Sequence, residues 1–161
     1  KDNLTPNPEE MVSLILKDIK EHKLEDRTLI TSYDWRILYE LKKQNSNILR
    51  GFITLQQGLT TTGKNIYENS PWMVKNYPLE ELFLLPNIIK SLEGHVWSVF
   101  YRDVTKQNVE LAHKHGLATC VWTVNREQDI IRMIEYGVDG IITDYPKKVQ
   151  EICKSKNISW F

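Results

Sequence analysis

The stretch VWTVNREQDIIRMIEYGVDGIITDYP, residues 121–146, decides how this chain folds. It opens inside an apolar run that begins at Leu117 and closes on a second run, residues 138–143. Between the runs Ile130, Ile131, Met133 and Ile134 recur at helical spacing. Asn125, with Gln128 three residues on, has the form of a capping box, and Gly137 stands where a helix ends in a left-handed turn. A strand, a helix of about ten residues and a second strand predict one right-handed crossover between parallel strands.

The same unit repeats on either side. Pro146 opens a last helix holding Val149 and Ile152. Upstream, residues 95–101 read as a strand, followed by a helix that Thr105 caps, that carries Val109, Leu111 and Ala112, and that Gly116 ends. Residues 48–54 and 28–32 are two further strands, and Asp34 is placed to cap a helix whose apolar face is Ile37, Leu38 and Leu41. Near the start, Asn7 caps, Pro8 takes the first helical position, and Glu9 and Glu10 face the positive end of the helix dipole. Met11, Leu14, Ile15 and Ile19 then fall on one stripe, which ends near His22 and Lys23. Residues 56–76, rich in Gln, Thr, Gly and Asn, predict a long loop, and residues 78–92 a partly helical segment broken by Pro86. Alternating strands and helices define an α/β fold, and strands apolar along most of their length predict a parallel sheet covered on both faces.

Composition excludes several function classes. With 41% hydrophobic residues and five tryptophans among 161, the chain can bury one domain core. Twenty-one basic residues balance 21 acidic ones, without a basic cluster for nucleic acid or an anionic membrane. No apolar run approaches the roughly 18 residues that span a bilayer, and no signal peptide precedes Asn7. Cys120, inside an apolar run, and Cys153 are read as reduced thiols. His113 and His115, two apart on a helix, point to different faces and make no metal pair. The polar residues just after the strands are Asp34, Asp103, Asn125 and Asp144, each of which reads as the cap of the following helix. No nucleotide-loop, zinc-protease or nucleophile-elbow motif occurs, and the residues by themselves give no complete catalytic set.

Residues 121–146 resemble the closing segment of the glycerophosphodiester phosphodiesterases. In that family a Trp-Thr-Val-Asn strand end, a short helix, Gly-Val-Asp-Gly-Ile and Thr-Asp-x-Pro follow in the order and spacing seen here from Trp122 to Pro146. Trp97 and Ser98, with Tyr101, Arg102, Asp103, Val104 and Thr105, resemble the segment before the penultimate helix, and Ser32, Tyr33 and Asp34 resemble the family's Ser-Phe-Asp. The likeness runs to about Ile152, with departures at Val99, where the family often has Pro, and at Tyr33.

The resemblance implies a (β/α)8 TIM barrel that hydrolyses glycerophosphodiesters to glycerol 3-phosphate and an alcohol, commonly with a divalent cation, Ca or Mg. The family's His-Arg-Gly, Glu-x-Asp, His-Asp and Glu-x-Lys segments all precede those matched here. Such a barrel takes about 250 residues, so the chain is expected to be its C-terminal portion, incomplete as a barrel. Residues 1–153 would belong to the barrel and residues 154–161 would form a tail, whose Trp160 and Phe161 cover a strand edge or are disordered. Five strand-like runs stand where four would complete eight, so either residues 48–54 or residues 95–101 are expected to lie outside the barrel.

No catalytic residue and no metal ligand is assigned to this chain, and no cation is expected to bind it alone. Its substrate-binding candidates are Lys1, as the lysine of Glu-x-Lys near the phosphate, and Trp122, as an apolar wall beside the glycerol or the leaving group; Trp122 as interior packing is the competing reading. The expected partner is a small-molecule glycerophosphodiester. A non-catalytic binding barrel and another phosphate-binding α/β barrel are the alternatives. Compartment is left open, the cytoplasm favoured over the periplasm or secretion.

Overall fold

A computed structural model describes residues 5–45, 47–57 and 63–159. Lys1, Trp160 and Phe161 lie outside the described residues. Five strands, β1 (Leu29–Ser32), β2 (Leu49–Thr54), β3 (Val96–Phe100), β4 (Ala118–Trp122) and β5 (Gly140–Ile141), form one parallel sheet in sequence order. The helices are α1 (Pro8–Glu21), α2 (Trp35–Gln44), α3 (Leu85–Ser91), α4 (Lys106–Lys114), α5 (Glu127–Tyr136) and α6 (Pro146–Ser155). Both doubtful runs join the sheet, which corrects the expectation that one stands outside: Gly51, Phe52, Ile53 and Thr54 of β2 pair in register with Val96, Trp97, Ser98 and Val99 of β3. These are central strands, each bonded on both sides, so neither can leave without breaking the sheet in two.

Sequential order has a geometric consequence. When each crossover is right-handed and each new strand is added on the same side, the crossover helices lie on one face of the sheet. The main core is built there, with Phe52, Trp97, Val99 and Val121 of the strands against Trp35, Leu38, Ile89, Val109, Ala112, Ile130 and Met133 of the helices. Strand residues alternate between faces, so Leu29, Leu49 and Ile142 point the other way, where they are 42%, 46% and 51% exposed. Among the described residues the sheet is therefore covered on one face rather than two. The apolar runs in the sequence reflect strands that need burial on both sides, and the second cover is not supplied by this segment.

Local signals explain most of the helices. Asn7 Oδ1 accepts from the Glu10 N–H at 3.2 Å, Thr105 Oγ1 accepts from the Asn108 N–H at 3.2 Å, and Gly137 ends α5 at φ +78°. In α1 the buried face is rotated from the expected stripe. Val12 and Ile19 are buried and Ile15 and Leu16 half-buried, while Met11 and Leu14 stay exposed. The cause is that α1 packs against Ile37 and Leu41 of α2 and Ile48, in a small core of its own. Pro86 sits in the first turn of α3, just after a 3₁₀ turn at Glu81–Leu84. It starts a helix rather than breaking one, because its missing N–H falls where first-turn donors have no helical partner.

The described part of residues 56–76 contains no helix or strand, as expected, and one buried side chain makes three of the bonds that order it. Asn65 is fully buried; its Oδ1 accepts from the Leu55 N–H at 2.8 Å, and its Nδ2 donates to the carbonyls of Tyr33 at 3.0 Å and Ile53 at 2.7 Å. Ser70 Oγ donates to the Asn65 carbonyl at 2.6 Å, and the Trp35 N–H donates to the Trp72 carbonyl at 2.8 Å. The loop is thereby fixed to the C-terminal ends of β1 and β2.

Candidate functional site at the C-terminal ends of the strands

In a parallel sheet wound in one direction, ligands meet the loops that follow the C-terminal ends of the strands. Trp122 ends β4 there, half-exposed, with its Nε1 donating to the Ser98 carbonyl at 3.1 Å. Its ring centroid lies 5.5 Å from that of Phe100, its register partner at the end of β3, and 5.9 Å from that of Tyr33, just past β1. Strands 4.8 Å apart would hold β1 and β4 about 14 Å from each other in a flat sheet. Side chains meeting across that gap indicate a sheet that curls toward its open face. Tyr101 adds a fourth ring, 5.1 Å from Phe100, and carries the Arg102 guanidinium above it at 5.5 Å.

The polar residues of this rim do other work than the sequence led us to expect. Asp34 caps α2 through the Arg36 N–H at 3.2 Å, receives the Thr5 N–H at 3.1 Å and pairs with the Arg36 guanidinium at 2.7 Å. The other three are not caps. Asp103 accepts the N–H groups of Gln56 at 2.7 Å and Gln57 at 3.0 Å, tying the loop after β3 to the loop after β2, while Thr105 takes over the cap. Asn125 donates from Nδ2 to Asp144 Oδ2 at 2.6 Å and accepts at Oδ1 from Thr143 Oγ1 and the Asp144 N–H, both at 3.0 Å. It thus joins the ends of β4 and β5, and α5 and α6 begin without side-chain caps. These side chains reach the neighbouring loop more readily than their own helix, because adjacent loops in a curled sheet crowd together.

Burial shapes the electrostatics. The Tyr33 phenol is pushed up to about 12, first by burial and then by the negative charge of Asp103. The Asp103 carboxyl is itself raised by burial, against the pull of the Gln56 and Gln57 N–H groups and of Lys64. The rim thus carries a phenol that stays protonated and a half-buried carboxylate whose two oxygens are both engaged.

The histidines lie elsewhere. His113 Nε2 is 2.9 Å from Asp139 Oδ2, His115 Nε2 is 2.7 Å from Asn87 Oδ1, and His95 Nδ1 accepts from the Arg50 N–H at 3.2 Å at the opposite end of the strands. Cys120 and Cys153 are free thiols. No group of three His, Cys, Asp or Glu side chains able to hold a metal occurs among the described residues. Asp103 and Asp144 have no second and third ligand beside them, so the described residues do not fit a divalent cation.

Residue-by-residue reading gave Phe100 no part in the mouth, although register could have found it, since aligning β3 with β4 sets Phe100 beside Trp122. Asn65 had no such signal. The arrangement can hold the carbon skeleton of an alcohol against aromatic rings and exclude water from it. Among the described residues it contains no nucleophile with its base.

A curling parallel sheet wound in sequence order, with helices on its outer face and an aromatic mouth at its C-terminal end, is part of a (β/α) barrel. The chain belongs to the glycerophosphoryl diester phosphodiesterase family, whose model matches residues 3–148. It is 31% identical over 133 residues to a glycerophosphodiester phosphodiesterase of Caldanaerobacter subterraneus subsp. tengcongensis, a match covering 83% of this chain and 45% of that protein. A crystal structure from Silicibacter pomeroyi DSS-3, assigned to the glycerophosphoryl diester phosphodiesterases, is 33% identical with a TM-score of 0.76, covering 96% of this chain and 47% of that one. The fold is shared at 18% identity and a TM-score of 0.65 with an Oleispira antarctica phosphodiesterase solved in complex with sn-glycerol-3-phosphate, covering 91% of this chain and 50% of that one. The chain spans about half the length of the relatives it matches.

Proposed function

We propose that this chain is the C-terminal portion of a barrel that hydrolyses glycerophosphodiesters to glycerol 3-phosphate and an alcohol, and that it furnishes the pocket wall rather than the reacting groups. The observation that carries the reading is the family match across residues 3–148 at about half the length of the relatives. Phosphodiester hydrolysis needs the negative charge on the equatorial oxygens neutralised, water activated and the leaving alkoxide protonated. A divalent cation in the complete enzyme would supply such charge neutralisation; the described residues of this chain offer it no ligand set. By the family resemblance, the histidines and acidic ligands of the reaction belong to family segments other than those matched here. Within this chain Trp122 lines the pocket beside the glycerol or leaving alcohol, and Lys1 provides a fixed positive charge toward the phosphate.

The test is an assay of the complete gene product on glycerophosphocholine, with and without a divalent cation. Metal-dependent release of glycerol 3-phosphate is expected, and its absence would favour a binding barrel without catalysis. The 161-residue chain assayed alone is expected to show no turnover. Turnover there would overturn the assignment of the reacting groups to other segments.

A further inference from the structure

The Tyr33 ring stands edge-on to Trp122, 5.9 Å away, across the mouth of the curled sheet. Its backbone carbonyl is held by Asn65 at 3.0 Å, so the residue is fixed from below. Its hydroxyl, by contrast, makes no hydrogen bond with any described residue. It does not bond the nearby Asp103, whose two carboxylate oxygens accept the backbone N–H groups of Gln56 and Gln57. The residue is half-buried while its hydroxyl is not among the buried unpartnered atoms, so the phenol O–H is open to solvent and available as a donor to something that enters the mouth.

We propose that the Tyr33 hydroxyl is a specificity-determining donor, giving a hydrogen bond to a hydroxyl oxygen of the substrate's alcohol moiety, an assignment that rests on the phosphodiesterase reading above. The surroundings choose between the parts of the substrate. A phosphoryl group needs cations or several donors, whereas Tyr33 supplies one neutral donor beside the ring of Trp122, which in turn packs on Phe100. An alcohol with an adjacent hydroxyl matches this: its carbon skeleton lies on the rings and its oxygen meets the phenol. Burial and the charge of Asp103 hold off ionisation of the phenol, so it remains a donor across the neutral range. Glycerol itself and a hydroxylated leaving group share this chemistry.

The experiment uses Tyr33→Phe in the complete gene product, which keeps the ring and removes only the donor. Two readouts are compared with the parent enzyme: kcat/KM on glycerophosphoglycerol and on glycerophosphocholine, and calorimetric affinities for glycerol 3-phosphate and for propyl phosphate, which lacks the hydroxyls. If Tyr33 serves the glycerol, both substrates lose about tenfold in kcat/KM, and the preference for glycerol 3-phosphate over propyl phosphate shrinks by a similar factor. If it serves the leaving alcohol, the loss is confined to glycerophosphoglycerol. No loss on any of these, or an equal loss of propyl phosphate affinity, overturns the proposal. An enzyme that binds glycerol 3-phosphate but turns nothing over would sink the hydrolase reading and leave the affinity comparison to decide the role of Tyr33.

Discussion

Replacing Asn65 by alanine is the sharpest test of how the mouth is held together. The substitution removes three hydrogen bonds of 2.7 to 3.0 Å made by one fully buried amide. The three partners are not left in equal states. The Ile53 carbonyl keeps the Trp35 indole N–H at 3.1 Å, while the Leu55 N–H and the Tyr33 carbonyl lose their side-chain partner. At about 1 kcal/mol per neutral bond, with the orphaned pair at the upper end of that range, the loss comes to about 3 kcal/mol. Urea unfolding of the complete gene product, followed by the fluorescence of the buried Trp35 and Trp97, measures it. With a slope of about 2 kcal/mol per molar, the midpoint falls by about 1.5 M at unchanged slope. Asn65→Asp refines the test: it keeps an acceptor for Leu55 but turns a carboxylate oxygen toward two carbonyls, so it is expected to be worse than alanine at neutral pH. An alanine variant that loses less than about 1 kcal/mol, or an aspartate variant as stable as the parent, would refute the assignment of the loop's order to this side chain.

Two further outcomes follow from the rim. Asn125→Ala opens the junction between the ends of β4 and β5 and is expected to cost about 1 to 2 kcal/mol, a fall in Tm of several degrees by calorimetry, with faster amide exchange at Asp144. For Asp103 the folded carboxyl lies above its free value of 3.8. Its contribution is therefore complete below about pH 4 and is lost as pH rises through the folded value. Asp103→Asn is expected to flatten the stability curve over that window and to speed amide exchange at Gln56 and Gln57 about tenfold. An unchanged curve with unchanged exchange would show that the clamp contributes nothing.

Sequence reading succeeded where the physics is local. Periodicity located the strands and helices, and Asn7, Asp34 and Thr105 were read as caps because a cap and its donor lie two or three residues apart. It failed where the partner is distant. Asn125 bonds a residue 19 positions on and Asp103 one 47 positions back, and nothing in either neighbourhood marks that preference. Asn65 sat in a stretch without any pattern, and the face of α1 was misplaced because its packing surface is another helix rather than the sheet. The extra strand in the count was settled by register, which composition and spacing do not carry. Trp122 was singled out through its motif, and its position beside Tyr33 and Phe100 required the curl of the sheet.

A sheet whose strands bond only their sequence neighbours behaves almost like a one-dimensional array, in which a disturbance fades from one unit to the next. The contact between Tyr33 and Trp122 departs from that rule, because it links the first unit to the fourth without passing through the two between. A ligand that turns the indole therefore presses on the phenol, and through the Tyr33 carbonyl on Asn65 and the loop beyond. Occupancy of the mouth and tightness of the loop that Asn65 holds are thus expected to move together, which ligand-dependent amide protection at Leu55 would read out.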